Sequence, residues 1–502
     1  MEKKLLLLAL FILSGFSKAN CQTPDWVWAK SATNETTGWG EGFSATTDGS
    51  GNVFVAGWYH DTIAFGSYIF NNANGAFLAK YDSASNLLWA KCGASIGTHQ
   101  GIGTSVVTDS YGNSYLTGWF VGSIVFDYDT LKSIGAVDFF VVKFTSSGNI
   151  VWAKNSGGPG NEAALGITTD NAANVYLTGY FSTSFSFASD SLINSGTGSN
   201  LFIVKYDSSG NALWGRSPIK GYGGAQGFSV ATDDSGHIYL TGIFGATSCP
   251  LTFGADTLVC LGSYNMFLVK YDSIGNVRWA KNIGGAGAER GYCVAVDNSN
   301  RIYITGGFDS TAVTFDTITI QRPAVYNDPM YIAGYDSAGH VLFAKALGSG
   351  GDDNSAVAVS PSGCIYIGGD FWQVNPFIIG NDSLFGFGEE TVFTAKLWYP
   401  QIEENIPETI TNNQEFIFYP NPFDDKLNVA SPPAPLPEQI GTGQRRGEEE
   451  ELTLFDVFGR VLLRRSFVNS ATINTEQLEG GIYFYEVSGK DGVGARGKIV
   501  KN

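Results

Sequence analysis

Three features of the sequence predict an all-β chain built on a six-bladed β-propeller. One phrase recurs six times between residues 28 and 400, its apolar residues alternate in short runs, and the strand missing from its last copy stands before its first. Alternation of Val, Ile, Tyr, Phe and Thr between clusters of Asp, Ser, Gly and Asn is the pattern of strands and tight turns. A regular period of this kind marks a repeat array, and four-stranded antiparallel units repeated about an axis make a propeller.

Lys3 and Lys4 precede the apolar run 5–13, and Ser17-Lys18-Ala19 places small residues at a cleavage site, so residues 1–19 are expected to be a signal peptide. That run is too short to span a bilayer. Cys21 invites a lipoprotein reading, but Asn20 stands where a small residue would precede the cysteine. DWVWAK at 25–30 is the first strand. Its tryptophan recurs at Trp28, Trp89, Trp152, Trp214 and Trp279, with Phe343 in the last copy, at spacings of 61, 63, 62, 65 and 64.

The cleanest copy, 228–281, predicts four strands: A (Ser229–Thr232), B (Ile238–Ile243), C (Met266–Tyr271) and D (Val277–Lys281). A–B turns such as TDGSGN (47–52) and C–D turns such as YDSSGN (206–211) offer Gly or Asn where a hairpin needs positive φ. The last copy supplies A, B and C but no D, and residues 25–30 would complete it. The expected ring covers 25–399, closed by the N-terminal strand and without a long open edge.

A hydrophobic content of 43 % with 14 % aromatic residues suffices for packed cores and excludes disorder over most of the chain. The net charge of −17 argues against nucleic acid or an anionic membrane as partner. A monomer is expected, with no cofactor. His60, His99, His237 and His340 lack metal-ligand spacing, and no HExxH, CxxC, GxSxG or phosphate-binding loop is present. Cys249 and Cys260 flank PLTFGADTLV within one connector, a spacing that suits a local disulfide in an oxidising compartment. Cys92, Cys293 and Cys364 read as buried thiols.

The A–B and C–D turns are short and uniform. The B–C connectors run over 20 to 25 positions and differ in sequence, so with the Gly-rich D–A loops they are expected to form the ligand-bearing face. One polar position recurs in the D–A loops: Glu41, Gln100, Glu162, Gln226, Glu289 and Asp353. These residues read either as a collar at the channel mouth, binding a cation or sugar hydroxyls, or as acceptors for the loops' own N–H groups. Trp58, Trp119 and Tyr180, just after strand B, read either as sugar-stacking platforms or as packing between blades. The turn aspartates Asp48, Asp109, Asp170, Asp233 and Asp297 suggest calcium at first sight, but they lack the acidic density of a calcium loop and fit turn capping. Glu289 with Asp352 and Asp353 is the first place to look for converging catalytic acids.

Residues 400–415 are polar, acidic and aperiodic, as a linker is. Beyond them, alternating strands over 416–502 predict a small immunoglobulin-like β-sandwich, with 431–451 as a flexible insertion. YPNPF (419–423), LFDVFGR (454–460), GGIYFYEV (480–487) and GKIVK (497–501) resemble the type A C-terminal sorting domain of the type IX secretion system of Gram-negative bacteria. The residues that carry this resemblance are Tyr419, Pro420, Asn421, Pro422, Gly459, Arg460, Gly481, Tyr483 and Lys498. The resemblance implies that 416–502 engages the type IX machinery and that the cargo is released or held at the cell surface. The repeats are similar to a bacterial β-propeller repeat family of secreted and surface proteins. The expected function is a non-enzymatic binding or adhesion module for a glycan or extracellular protein. The alternatives are a secreted hydrolase or lyase acting on polysaccharide, and a purely structural surface component.

Overall fold

The computed structural model describes residue 32 and residues 38–398 apart from 72–73, 97–99, 188–189, 221–223, 246–248, 324–328, 350–354, 361–362, 373–376, 380–381 and 385–389. It also describes the strands of 417–501 apart from 420–425, 431–449, 456–460, 469, 476, 479–480 and 490–491. Among the described residues every regular element is a β-strand. The expected signal peptide, the strand at 25–30 and the linker lie outside them. The chain divides into two compact units, 1–291 and 292–502.

In the first unit four antiparallel sheets follow one another, each in the order A-B-C-D. The first comprises Trp39–Thr47, Val53–His60, Gly75–Tyr81 and Leu87–Ser95; the second, Gly101–Thr108, Ser114–Phe120, Asp138–Phe144 and Ile150–Asn155. The third comprises Glu162–Thr169, Val175–Phe181, Asn200–Tyr206 and Ala212–Arg216; the fourth, Ala225–Thr232, Ile238–Gly245, Tyr264–Tyr271 and Val277–Ile283. A fifth sheet starts at Glu289–Val296 and ends at Val341–Ser349. A sixth is three-stranded among the described residues: Ser355–Val359, Cys364–Trp372 and Glu390–Trp398. This repeated meander is the propeller arrangement.

The recurrent residues of the phrase have local duties. Asp109 Oδ1 accepts from the amides of Tyr111 and Asn113 at 2.9 Å each, while its Oδ2 accepts from Asn113 Nδ2 at 2.8 Å and the Tyr115 hydroxyl at 2.9 Å. Asp48, Asp170, Asp233 and Asp297 cap their turns in the same way. Burial works against ionisation of Asp48, but hydrogen bonds from Asn52 and Lys80 outweigh it and hold the carboxyl below the usual range.

Consecutive sheets are locked by the tryptophan. Trp89 Nε1 donates to Ser146 O at 3.1 Å and Trp152 Nε1 to Ser208 O at 3.2 Å, in each case in the C–D turn of the following sheet. The same carbonyls accept from Lys80 and Lys143 at 3.2 and 2.9 Å. Each indole lies over a glycine of that turn, and a Cβ on Gly210 would stand 2.8 Å from Trp152 Cδ2. The A strands of the first unit are joined by threonine hydroxyls, Thr108 to Thr47 O, Thr169 to Thr108 O and Thr232 to Thr169 O, at 2.9 to 3.1 Å. The cores fill the spaces between sheets; one gathers Phe139, Val141 and Trp152 of the second with Leu177, Phe202 and Val204 of the third.

The B–C connectors contain strands of their own. Each folds into a two-stranded hairpin, the first pairing Ile63–Phe65 with Tyr68–Phe70 and the second Ser123–Phe126 with Asp129–Lys132. The second hairpin extends the first sheet by pairing Phe126 with Gly93 of strand D. Lys91 of that strand meets Asp127 at 2.7 Å. In the fourth repeat Asp256 Oδ2 accepts from the Ala280 amide of strand D at 2.8 Å. Apolar hairpin residues such as Phe126, Phe185, Phe187 and Phe253 are buried in the sheet cores. These hairpins therefore lie along the D strands, whose unpaired backbone groups would otherwise template aggregation.

In the second unit, Ile417–Tyr419, Lys426–Ala430 and Ser470–Asn474 form one sheet, and Glu450–Phe455, Val461–Phe467, Gly481–Gly489 and Gly492–Lys501 another. Leu427 and Ile473 of the first sheet share a core with Leu452, Leu454, Phe467, Tyr483 and Val487 of the second, which makes a two-layer sandwich.

Candidate functional site

The ends of the sheets where A strands begin and B strands finish carry the predicted polar and aromatic residues, in register-dependent ways. Glu41 pairs with Trp58 and Gln226 with Ile243, and the same register position holds Ile102 opposite Trp119 and Ala163 opposite Tyr180. Glu162 instead pairs with Phe181, one position earlier, as Gly101 pairs with Phe120. Because side chains alternate across a strand, a shift of one position turns a residue to the other face. Glu41 is accordingly exposed, Gln226 half-buried, and Glu162 and Glu289 fully buried. Gln100 precedes its strand and is exposed; Asp352 and Asp353 lie outside the described residues.

Glu289 is held by neighbouring donors: Asn265 Nδ2 reaches its Oε2 at 3.3 Å and the Gly285 amide at 2.9 Å. At Glu162, burial first and the nearby charge of Asp138 second push the carboxyl up to about 8. Asp138 is itself raised by burial, against the opposing amides of Ile134 and Gly135 and the side chain of Asn155.

Two surface features lie on the exposed register positions. On the first sheet, Trp39 is 50 % exposed and meets Trp58 edge-on at 4.6 Å and stacks near His60 at 5.9 Å. Trp58, almost buried, donates its Nε1 to Glu41 Oε2 at 3.1 Å. Trp119 and Tyr180 are half-buried on the next sheets. On the fourth sheet, Gln226, Ile243, Ser263, Tyr264 and Arg290 line a cleft of 530 Å³. Tyr264 and Arg290 carry no sequence motif. Their only prior signal was position, at the end of a connector and at the start of a strand A.

Cys249 and Cys260 are joined by a disulfide with their Cα atoms 5.8 Å apart, bracketing the fourth hairpin. In the C-terminal sandwich Tyr419 lies on a strand, Tyr483 is buried in the core, and the backbones of Gly481 and Lys498 pair within the four-stranded sheet. Pro420, Asn421, Pro422, Gly459 and Arg460 lie outside the described residues.

Comparison with known proteins assigns the sandwich. Residues 417–502 match the family described as the secretion system C-terminal sorting domain. A WD repeat-containing protein of Acanthamoeba polyphaga mimivirus, itself uncharacterised, is 26 % identical over 359 residues; the match covers 57 % of this chain but only 26 % of that relative. Among solved structures, a protein of unknown function from Dyadobacter fermentans is 10 % identical with a TM-score of 0.36, over 71 % of this chain and 94 % of its own. A member of the DUF4221 family from Bacteroides vulgatus is 10 % identical with a TM-score of 0.34, over 74 % and 97 %. Likeness of that degree says nothing about activity. The sorting domain gives a destination: residues 417–502 mark the chain as a type IX secretion cargo, delivered to the cell surface or the extracellular space.

Proposed function

We propose that the exported chain is a non-enzymatic binding or adhesion module, and that it takes a glycan at the sheet ends where the A strands begin. The cleft of the fourth sheet carries this reading. It combines an exposed aromatic ring in Tyr264, a guanidinium in Arg290, the amide of Gln226 and the hydroxyl of Ser263. Sugars present apolar ring faces and hydroxyl edges, and this mixture of an aromatic surface with convergent polar groups suits both. Trp39, held edge-on against Trp58, offers a second ring on the first sheet.

The purified chain should give saturable binding on a broad array of glycans and extracellular proteins. Tyr264→Ala and Arg290→Ala should each weaken it by about tenfold, the loss of one well-placed contact. Unchanged binding in the double variant would remove the cleft from consideration, and a blank array would favour a structural surface component.

A further inference from the structure

Asp138 opens strand C of the second sheet and Glu162 opens strand A of the third, and their backbones are tied where the Glu162 amide donates to Val137 O at 2.8 Å. Both side chains are fully buried. The Asp138 carboxylate accepts from the Ile134 amide at 3.3 Å, the Gly135 amide at 3.2 Å and Asn155 Nδ2 at 3.2 Å. Neither oxygen of Glu162 has a hydrogen-bond partner among the described residues. The Gly160 amide faces the carboxylate, short of hydrogen-bond geometry.

Neutral oxygens crowd the same place. A Cβ on Gly158 would collide with Ser184 O and stand 2.6 Å from Glu162 Oε2. One on Gly160 would collide with Ser182 Oγ and stand 2.5 Å from Thr183 Oγ1 and 3.0 Å from Glu162 Oε1. The fourth sheet shows the alternative chemistry. Asn265 pairs with Phe244 as Asp138 pairs with Phe120, and it donates directly to Glu289. There a buried carboxylate is answered by N–H donors. Beside Glu162 the amide has become a second carboxylate, which adds a negative charge and removes a donor. Two buried anions without a counter-charge are strongly disfavoured, and carboxylate, hydroxyl and carbonyl oxygens are the ligands of a hard divalent cation; here the Glu162 oxygens are unpartnered, while Ser182 Oγ accepts from the Asn161 amide at 2.7 Å.

We propose that Asp138 and Glu162, with oxygens of Ser182, Thr183 and Ser184, form a calcium site that ties the second sheet to the third. Outside the cell calcium is abundant, and extracellular modules function with dissociation constants of about 10⁻⁴–10⁻³ M. The ion would add a tie at this end of two sheets that are already joined by the bonds of Trp152 and Lys143 to Ser208 O and of Thr169 to Thr108 O.

Equilibrium dialysis of the purified chain against calcium, after EDTA treatment, tests this directly. One ion per chain should bind, and the melting temperature should rise with calcium. Both effects should vanish in Glu162→Gln and in Asp138→Asn, the second of which recreates the Asn–Glu pair already present in the fourth sheet and should fold without the ion. Absence of bound calcium in the wild-type chain, or binding that survives both substitutions, would overturn the assignment. So would a pH-dependent stability identical with and without calcium, which would give the site to a proton.

Discussion

Substituting Gly210 by alanine tests whether the tryptophan lock, rather than the turn alone, holds neighbouring repeats together. Gly51 and Gly210 occupy equivalent left-handed conformations, with φ of 75° and 82°. Their surroundings differ. A Cβ on Gly51 would find nothing nearer than Ser83 Cβ at 3.9 Å, whereas one on Gly210 would meet three atoms of the Trp152 indole at 2.8 to 3.1 Å. Alanine at either site carries the left-handed penalty of about 1–2 kcal/mol. At Gly210 it must also displace the indole, an overpacking cost of about 1–3 kcal/mol, so Gly210→Ala should lose about 2–5 kcal/mol in all. Urea unfolding of the two variants, compared at matched slope, measures the difference. In a Trp152→Leu background the excess at Gly210 should disappear, leaving a loss like that of Gly51→Ala. Equal losses for the two single variants would refute the lock.

Two further outcomes follow from buried charge and from the sorting domain. Glu162 is raised from 4.5 to about 8 in the fold, so in EDTA its stabilising contribution is complete below pH 4.5 and lost as the pH rises through 8; thermal melts across that window should slope downward in the wild type and flatten in Glu162→Gln. Truncation after Tyr399 should leave the chain in the periplasm, detected by fractionation, and normal surface display of that truncation would contradict the role of residues 417–502.

Much of the repeat was legible because its recurrent residues meet partners at fixed spacings. The Asp–Gly–Asn turns close on themselves within six residues, and the closing tryptophan meets the C–D turn of the following copy, 56 residues on at Trp152–Ser208. The connectors were less legible. Their strands are three or four residues long and their turns change composition, with positive φ at Gly66, Asp127, Gly254 and Asp316. A pattern this short offers too few alternations to stand out, although Phe65, Phe126, Phe187, Phe253 and Phe315 end the first hairpin strand in five copies.

The polar positions illustrate a different limit. The recurrent polar position of the D–A loops groups Glu41 and Gln226 with Glu162 and Glu289, which lie on opposite faces of their strands, because it falls seven residues before the turn aspartate in the first pair and eight in the second. The A strands of the first four sheets also contain a bulge each, as between Gly42 and Ser44, that breaks simple counting of faces. Asp138 went unmarked for another reason: its partner is supplied by the next sheet, and nothing in the spacing announces that meeting. Aligning the residue two before the aromatic of strand C would have placed Asp138, Asn200 and Asn265 in one column.

The direction of the tryptophan lock bears on how such a chain can grow. The indole belongs to one copy of the phrase and the carbonyl that receives it to the next, 57 residues downstream at Trp89–Ser146 and 56 at Trp152–Ser208. A duplicated stretch one period long therefore carries one plug and one socket wherever its ends fall. Inserted in tandem, it restores every lock it interrupts, so whole copies can be gained or lost without redesigning any surface between neighbours.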